Sequence, residues 1–342
     1  MINDLLDDPL FARSAPHESL LGHPLGFVDI GARGGIHEVV EPLAGATAVL
    51  GFEPDEEECK RLSLRSAELP WADYRIEPLA LAGGRGRGRL RLLSWSQNNS
   101  MLSPNKEFVR RYKMSRFEEV GSNSVRTTTL DEAVFEDSKT KWGEFLKLDT
   151  QGTELEILQA AERTLSERTV AIMTEVEFAQ LYQDQKLFSE VELFLRRRGF
   201  SFYGFMSTHH RSQKRLDKRI EAGRERLLHG DAIFFKDPLP GGFSERPLSD
   251  RGNHTLFVCA VLLGFYDFAL ELALNTWAKG SEGSRIEKLI HARAFLPAGK
   301  TSREVELLAK RIRAKPRLAN VIVGHFVDER RNLHDYQDTP EA

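Results

Sequence analysis

The sequence predicts a doubly wound α/β sheet, on three observations. Apolar runs of strand length alternate with helix-patterned stretches from residue 26 onward. The runs fall at 27–31, 47–53, 74–82, 89–94, 125–129, 144–149, 169–176, 200–206 and 231–236, a rhythm that argues for a mainly parallel sheet covered on both faces. Three of them end abruptly in a carboxylate with glycine or proline beside it: FVDIGARGG (27–35), VLGFEPD (49–55) and FLKLDTQGTE (145–154). Strand ends of this kind meet in one crevice of an open sheet, where nucleotide-bearing ligands sit. An adenosine-containing cofactor is the first functional expectation.

The length of 342 residues suits one large domain with an appendage. The expected division is a leader over 1–25, the α/β domain over 26–240, a linker over 241–253 and a helical region over 254–342. The linker lies within the Pro/Gly-rich stretch DPLPGGFSERPLSDRGN (237–253). A formal charge of −3 supplies no basic field for nucleic acid. Cys59 and Cys259 each lack a CxxC partner, so neither a disulfide framework nor a zinc cluster is expected. The first residues carry no basic segment followed by an apolar one, as a secretory signal would. The longest apolar stretch, 256–266, is too short to span a bilayer. A cytoplasmic protein without a membrane span is expected.

Local signals place the helices. Thr153 and Glu156 have capping-box spacing, followed by Leu155, Leu158, Ala161 and Leu165 on one face, and Ser189 with Glu192 repeats the device before a stop at Gly199. The run GGRGRGR (83–89) reads as a flexible turn between strands. The segment 207–230, with seven Lys/Arg against three Asp/Glu, reads as a solvated amphipathic helix, with a basic lid over the acceptor as the alternative. His209 and His210 lie side by side within it; they are not expected to be ligands. Gly264 divides the apolar stretch 255–277 into a pair of packed helices.

The first strand end sets the ligand chemistry. Gly31 and Gly35 let the backbone approach a ligand, but their spacing is not the G-x-G-x-x-G of a pyrophosphate site. Asp29 before the turn would repel a pyrophosphate and can accept hydrogen bonds from an ammonium group. That favours S-adenosylmethionine, whose methionyl end is zwitterionic, over a nicotinamide cofactor. Glu53, 22 residues after Gly31, ends the next strand where an acid binds ribose hydroxyls. Asp55 beside it is placed to begin the following helix.

Four ordered motifs, DIGARGG, GFEPD, LKLDTQGTELEIL and TEVEF (174–178), resemble the FkbM-type family of class I S-adenosylmethionine-dependent methyltransferases. The resemblance rests on Val28, Asp29, Gly31, Ala32 and Gly35, on Phe52-Glu53-Pro54, and on Lys147, Asp149, Gly152 and Glu154, with Ala80 and Ser100 in the looser stretch between. Arg33 stands where the family pattern has asparagine. The likeness covers about residues 26–237.

The resemblance implies a Rossmann-like class I methyltransferase sheet with a small C-terminal helical appendage. It also implies S-adenosyl-L-methionine as cofactor and methylation of a hydroxyl on a glycan, glycolipid or secondary metabolite, as in polysaccharide biosynthesis. Asp29, Gly31, Ala32, Gly35, Glu53 and Ala80 are then the expected cofactor-binding residues. Methyl transfer needs the acceptor oxygen held in line and its proton removed. Asp149, ending the strand beside the cofactor strand, is the first candidate for that work, with Glu175 facing the same cavity. The two acids could hold Mg²⁺, but no metal site is expected. The alternative reading is a catalytically silent binding module acting through its C-terminal helices. Those helices are the expected surface for a homodimer or a protein partner.

Overall fold

The computed structural model describes residues 2–64, 70–135, 142–213, 215, 225–294 and 300–331. Its centre is a seven-stranded sheet. The parallel strands are β1 (Leu25–Ile30), β2 (Thr47–Phe52), β3 (Asp73–Glu77), β7 (Phe145–Leu148) and β8 (Ala171–Glu177). A second, three-stranded sheet holds β4 (Ala80–Leu81), β5 (Gly86–Leu93) and β6 (Glu119–Thr128). The antiparallel strands β9 (Ser201–Arg211) and β10 (Arg226–Phe235) close the main sheet, whose order is β3-β2-β1-β7-β8-β10-β9. The order runs one way from β1 to β3 and the other way from β1 through β7. The three acidic strand ends therefore lie on neighbours, β2, β1 and β7, at the switch point where a crevice opens.

β1, β2 and β7 are buried at every position, the near-continuous apolar run of strands covered on both faces. One face carries α4 (Leu130–Phe135), α5 (Glu154–Gln159), α6 (Glu162–Glu167) and α7 (Phe188–Arg196), packed on Val28, Leu50, Leu146, Ile172 and Phe234. The other face is covered from both ends of the chain. There α1 (Ala15–Gly22) joins α8 (Asp250–Leu262), α9 (Tyr266–Thr276) and α10 (Gly280–Ala294). Together they bury Phe27, Val49, Phe145, Ala171, Ile233 and Phe235 under Phe257, Leu272, Ile286 and Leu289. α8 is apolar on every side from Leu256 to Leu262, where it is almost wholly buried, and Ser249 caps its polar first turn by accepting from Gly252 N at 3.1 Å. Gly264 separates α8 from α9 as expected. Beyond them α11 (Lys300–Ala314) packs with α12 (Ala319–Arg331). α2 (Glu56–Leu64) follows β2, and α3 (Lys106–Tyr112) lies between β5 and β6. Among the described residues no helix is long and apolar enough to cross a membrane.

One ion-pair fork ties the ends to the sheet. Arg251 of α8 donates to Glu144 Oε1 at 2.8 Å and Oε2 at 2.6 Å, and to the carbonyls of Ser19 and His23 at 2.9 and 2.7 Å. Glu144 Oε2 also accepts from Gly26 N at 3.0 Å. The leader, the entries to β1 and β7, and α8 thus share one charge pair. Glu282 of α10 adds a second tie, accepting from Ala15 N at the start of α1 at 2.9 Å.

Several local expectations fail for identifiable reasons. The expected strand 74–82 is two strands in different sheets, because Pro78 between them has no N–H to continue a ladder. Half of the expected flexible turn 83–89 is strand, with Gly86–Arg89 opening β5 against β6; at Gly88 a Cβ would lie 2.9 Å from Met101 Sδ. Thr153 caps no helix: its hydroxyl donates to Thr150 Oγ1 at 2.9 Å, while the Glu154 carboxylate gathers the loop's N–H groups. α7 starts one residue before Ser189, and Glu190 rather than Glu192 accepts from the N-cap backbone, Leu187 N, at 3.0 Å. In the expected helix over 207–230, residues 212, 213, 215 and 225 lie in no helix or strand, and 207–211 and 226–230 are strand. There backbone ladder bonds between β9 and β10 override a polar pattern that alternation does not reveal. Residues 214 and 216–224 of that segment lie outside the described residues.

Arg251→Leu would leave Glu144 buried without its counter-charge and the leader carbonyls without a donor. A loss of about 3–5 kcal/mol is expected. Urea denaturation reads it as a lowered midpoint at unchanged slope.

Candidate functional site

The strand ends open into a cleft of about 680 Å³. Its floor is the β2-β1-β7-β8 edge, and its outer wall comes from the small sheet and the segment that follows β5. Gly31, Gly35, Glu53, Ala80, Asp149 and Glu175 all line it. Asp29 and Ala32 do not: Asp29 is fully buried beneath the floor, and Ala32 is buried with its N–H on Phe52 O at 3.0 Å.

The glycine turn follows from the close approach of two strand ends. Gly31 has φ +89°, and a Cβ there would lie 2.0 Å from the Asp149 carbonyl oxygen. Only glycine lets β1 and β7 end this close. Gly34 and Gly35, with φ of +93° and +133°, have nothing within 4 Å of where a Cβ would stand, so the turn forms an open cradle. Under the turn, Lys147 sits 3.2 Å from Asp29 Oδ1 and 3.9 Å from Asp149 Oδ2, and donates to Gly31 O at 3.3 Å. Asp29 Oδ2 accepts from His37 N at 2.9 Å. Burial opposes the charge on Lys147, but the carboxylates of Asp29 and then Asp149 outweigh it, and the ammonium is held above the ordinary lysine value. The ammonium facing Asp29 is thus one of the protein's own.

Glu53 ends β2, 2 % exposed and at the cleft surface. Its Oε1 accepts from Asp55 N at 2.9 Å and from Arg33 at 3.3 Å; Arg33 also meets Asp55 Oδ2 at 2.9 Å. Among the described residues Glu53 Oε2 accepts no hydrogen bond. Burial raises the Glu53 carboxyl above the ordinary range, and Arg33 draws it back in part. Asp55 begins α2 as expected, accepting from Glu57 and Glu58 N at 3.1 and 3.2 Å.

The side of the cleft under Asp149 and Glu175 is built around Gln151, which has φ +60°, unusual for a residue with a Cβ. Its backbone is pinned by Ser100 Oγ on its carbonyl at 2.7 Å. Its side-chain amide donates to Asp149 Oδ1 and Glu175 Oε2, each at 2.8 Å, and so bridges the two candidate catalytic acids. Tyr182 shares its single hydroxyl proton between Asn98 O at 2.7 Å and Gln151 Oε1 at 3.0 Å. Glu175 Oε1 lies 3.0 Å from His229 Nδ1. Opposite in the β9–β10 ladder, His209 stacks on His229, with centroids 4.4 Å apart and planes at 11°. Burial, then the carboxylates of Asp149, Glu154 and Asp231, holds Glu175 well above the ordinary carboxylate range. Burial lowers both histidines, His209 also through His229, so both favour the neutral form. A neutral imidazole beside a carboxyl group that resists ionisation is equipped to accept or relay a proton.

Gln151, His229, Asp231 and the Arg33 clamp are site residues that sequence reasoning did not assign. Gln151 was in view as a motif position, but its bridging depends on a left-handed backbone. His229 reaches His209 only through strand pairing, which no local spacing reports. Among the described residues no group of three or more His, Cys, Asp or Glu is arranged to hold a metal ion.

A parallel sheet that reverses its order beside a glycine turn, with acids ending β1, β2 and β7, is the build of a Rossmann-like methyltransferase. The chain belongs to the FkbM methyltransferase domain family, whose model matches residues 29–202, or 174 of its 342 residues. It is also similar to a crystal structure of methyltransferase FkbM from Methylobacillus flagellatus KT, at 16 % identity and a TM-score of 0.35. That likeness covers 62 % of this chain and 43 % of the other, so the chain spans less than half of that protein. No curated protein matches the sequence.

Two outcomes follow. Gly31→Ala meets both the positive φ and the Asp149 carbonyl; the backbone strain alone costs about 1–3 kcal/mol, and thermal denaturation is expected to show at least that loss. Glu177, buried near the same acids, is held well above its ordinary value of 4.5 by burial, then by Glu154 and Glu175. A carboxyl whose folded value is raised contributes stability that is full below the unfolded value and fades as pH rises through the folded one. Glu177→Gln is therefore expected to stabilise the protein increasingly above pH 4.5 and to match it below, as read by urea denaturation across that range.

Proposed function

We propose that the protein transfers a methyl group from S-adenosylmethionine to an acceptor hydroxyl of a glycan, glycolipid or secondary metabolite. The observation that carries the cofactor is Glu53: one carboxylate oxygen is held by Asp55 N and Arg33, and the other lies unengaged at the cleft. A ribose hydroxyl suits that oxygen, and the open Gly34–Gly35 cradle suits a ligand backbone passing close by. S-adenosylmethionine supplies an electrophilic methyl on a sulfonium.

The chain's own groups do the rest. Lys147 and Asp29 fix the floor of the methionyl pocket from beneath, Gly31 and Gly35 shape it, and Ala80 keeps the wall small. Asp149 orients the acceptor hydroxyl and takes its proton, with Gln151 holding its carboxylate in place. Glu175 keeps the Gln151 amide turned toward Asp149. Arg33, in the place of the family's asparagine, offsets the burial of Glu53.

Isothermal titration with S-adenosylhomocysteine tests the reading. Micromolar binding is expected, weakened about 10–100-fold in Glu53→Ala, the effect of losing a hydrogen bond to a charged group. Absence of binding in the wild type would turn the assignment to a catalytically silent module working through its C-terminal helices. Asp149→Asn is expected to keep that binding and to lower turnover about 10²–10⁴-fold; unchanged turnover would remove Asp149 from the chemistry.

A further inference from the structure

Beside the cleft lies a second, more open trough of about 600 Å³. Met114 and Phe117 line both cavities, so the trough continues the acceptor end of the cleft. Val109, Met114 and Phe117 give it an apolar floor and belong to a small cluster around Leu181 and Tyr182, next to the Gln151 bridge.

One wall is basic. Lys106 and Arg110 stand at i and i+4 on one face of α3, and Lys113, its left-handed C-cap, lines the trough beside them. All three are exposed, and among the described residues none has an ion-pair partner. On the facing wall Glu119 lies 3.5 Å from Arg89 and 3.9 Å from Arg91, which leaves Glu118 as the acid turned to the trough without a recorded pair. An apolar floor beneath three cations, faced among the described residues by the one unpaired acid Glu118, leaves the trough net positive and matches a ligand with an apolar chain and an anionic group. A neutral glycan would use neither feature, and a free anion would use only one.

We propose that the methyl acceptor is an anionic amphiphile. Its tail lies on Val109, Met114 and Phe117, its phosphate or carboxylate faces Lys106, Arg110 and Lys113, and its hydroxyl reaches Asp149. This assignment rests on the methyl-transfer reading of the cleft and narrows its substrate class.

Dodecyl phosphate, kept below its micellar concentration and titrated calorimetrically into the full chain, tests the assignment. Inorganic phosphate and dodecyl maltoside supply the head-only and neutral-tail comparisons. The expected result is binding at least tenfold tighter for dodecyl phosphate than for either comparison. Lys113→Glu, a change at an exposed position, should abolish the preference over dodecyl maltoside, and Val109→Asp should weaken both amphiphiles about tenfold. Equal affinities, or variants that bind like the wild type, would overturn it. S-adenosylhomocysteine titrated in parallel separates the two readings. Retained binding of it without an amphiphile preference rejects only the acceptor class. Its loss, with the preference retained, rejects the methyl-transfer reading and leaves the trough's ligand standing.

Discussion

Lys147 is placed where an ammonium has almost no water, between the Asp29 carboxylate, the Gly31 carbonyl and Asp149. Removing such charges from water costs several kcal/mol per ion, and that cost is offset only while all the partners stay in register. β1 and β7 are therefore locked with Asp29 opposite Lys147. A slip of either strand by one residue would turn its side chain to the other face and part the pair. The lock forces the two strand ends together, which demands glycine at position 31 and sets the Asp149 backbone at the mouth of the cleft. The β1 and β7 ends of the cleft meet over one buried ion pair.

The helical layer on the second face solves a different problem. In the described structure, the connection from β1 to β2 on that side is a short 3-10 segment, Glu38–Ala46, too little to cover the sheet. The remaining apolar face is covered by the segment before β1 and by α8–α10, held together by the Arg251–Glu144 fork. Helices α8–α10 are thus joined to the same core as the strands that line the cleft.

Acids crowd the β7–β8 side of the cleft. Asp149, Glu154, Glu175 and Asp231 repel one another in a poorly solvated region, and the fold offsets this with Gln151, His229 and the loop N–H groups gathered by Glu154. The left-handed backbone at Gln151 belongs to the same arrangement: strain is accepted where it aims an amide at two carboxylates.

The strands, the alternation and the acid-plus-glycine strand ends were legible in the sequence because each is a local signal. Burial of both sheet faces writes continuous apolar runs, and a close backbone approach writes glycine. The places of Asp29, Glu53 and Asp149 at or beside those strand ends were legible for that reason. Pairing across the chain was not legible. The meeting of His209 with His229, the diversion of Arg33 onto Glu53 and the strand state of 207–211 depend on ladder register and on contacts between distant segments. Asp29 shows the division most clearly: its sequence position beside the glycine turn marks it as a ligand for an ammonium, and only the tertiary structure decides that the ammonium is Lys147. Local spacing determines which groups are present at an edge; three-dimensional packing determines which of them have partners and which still face the ligand.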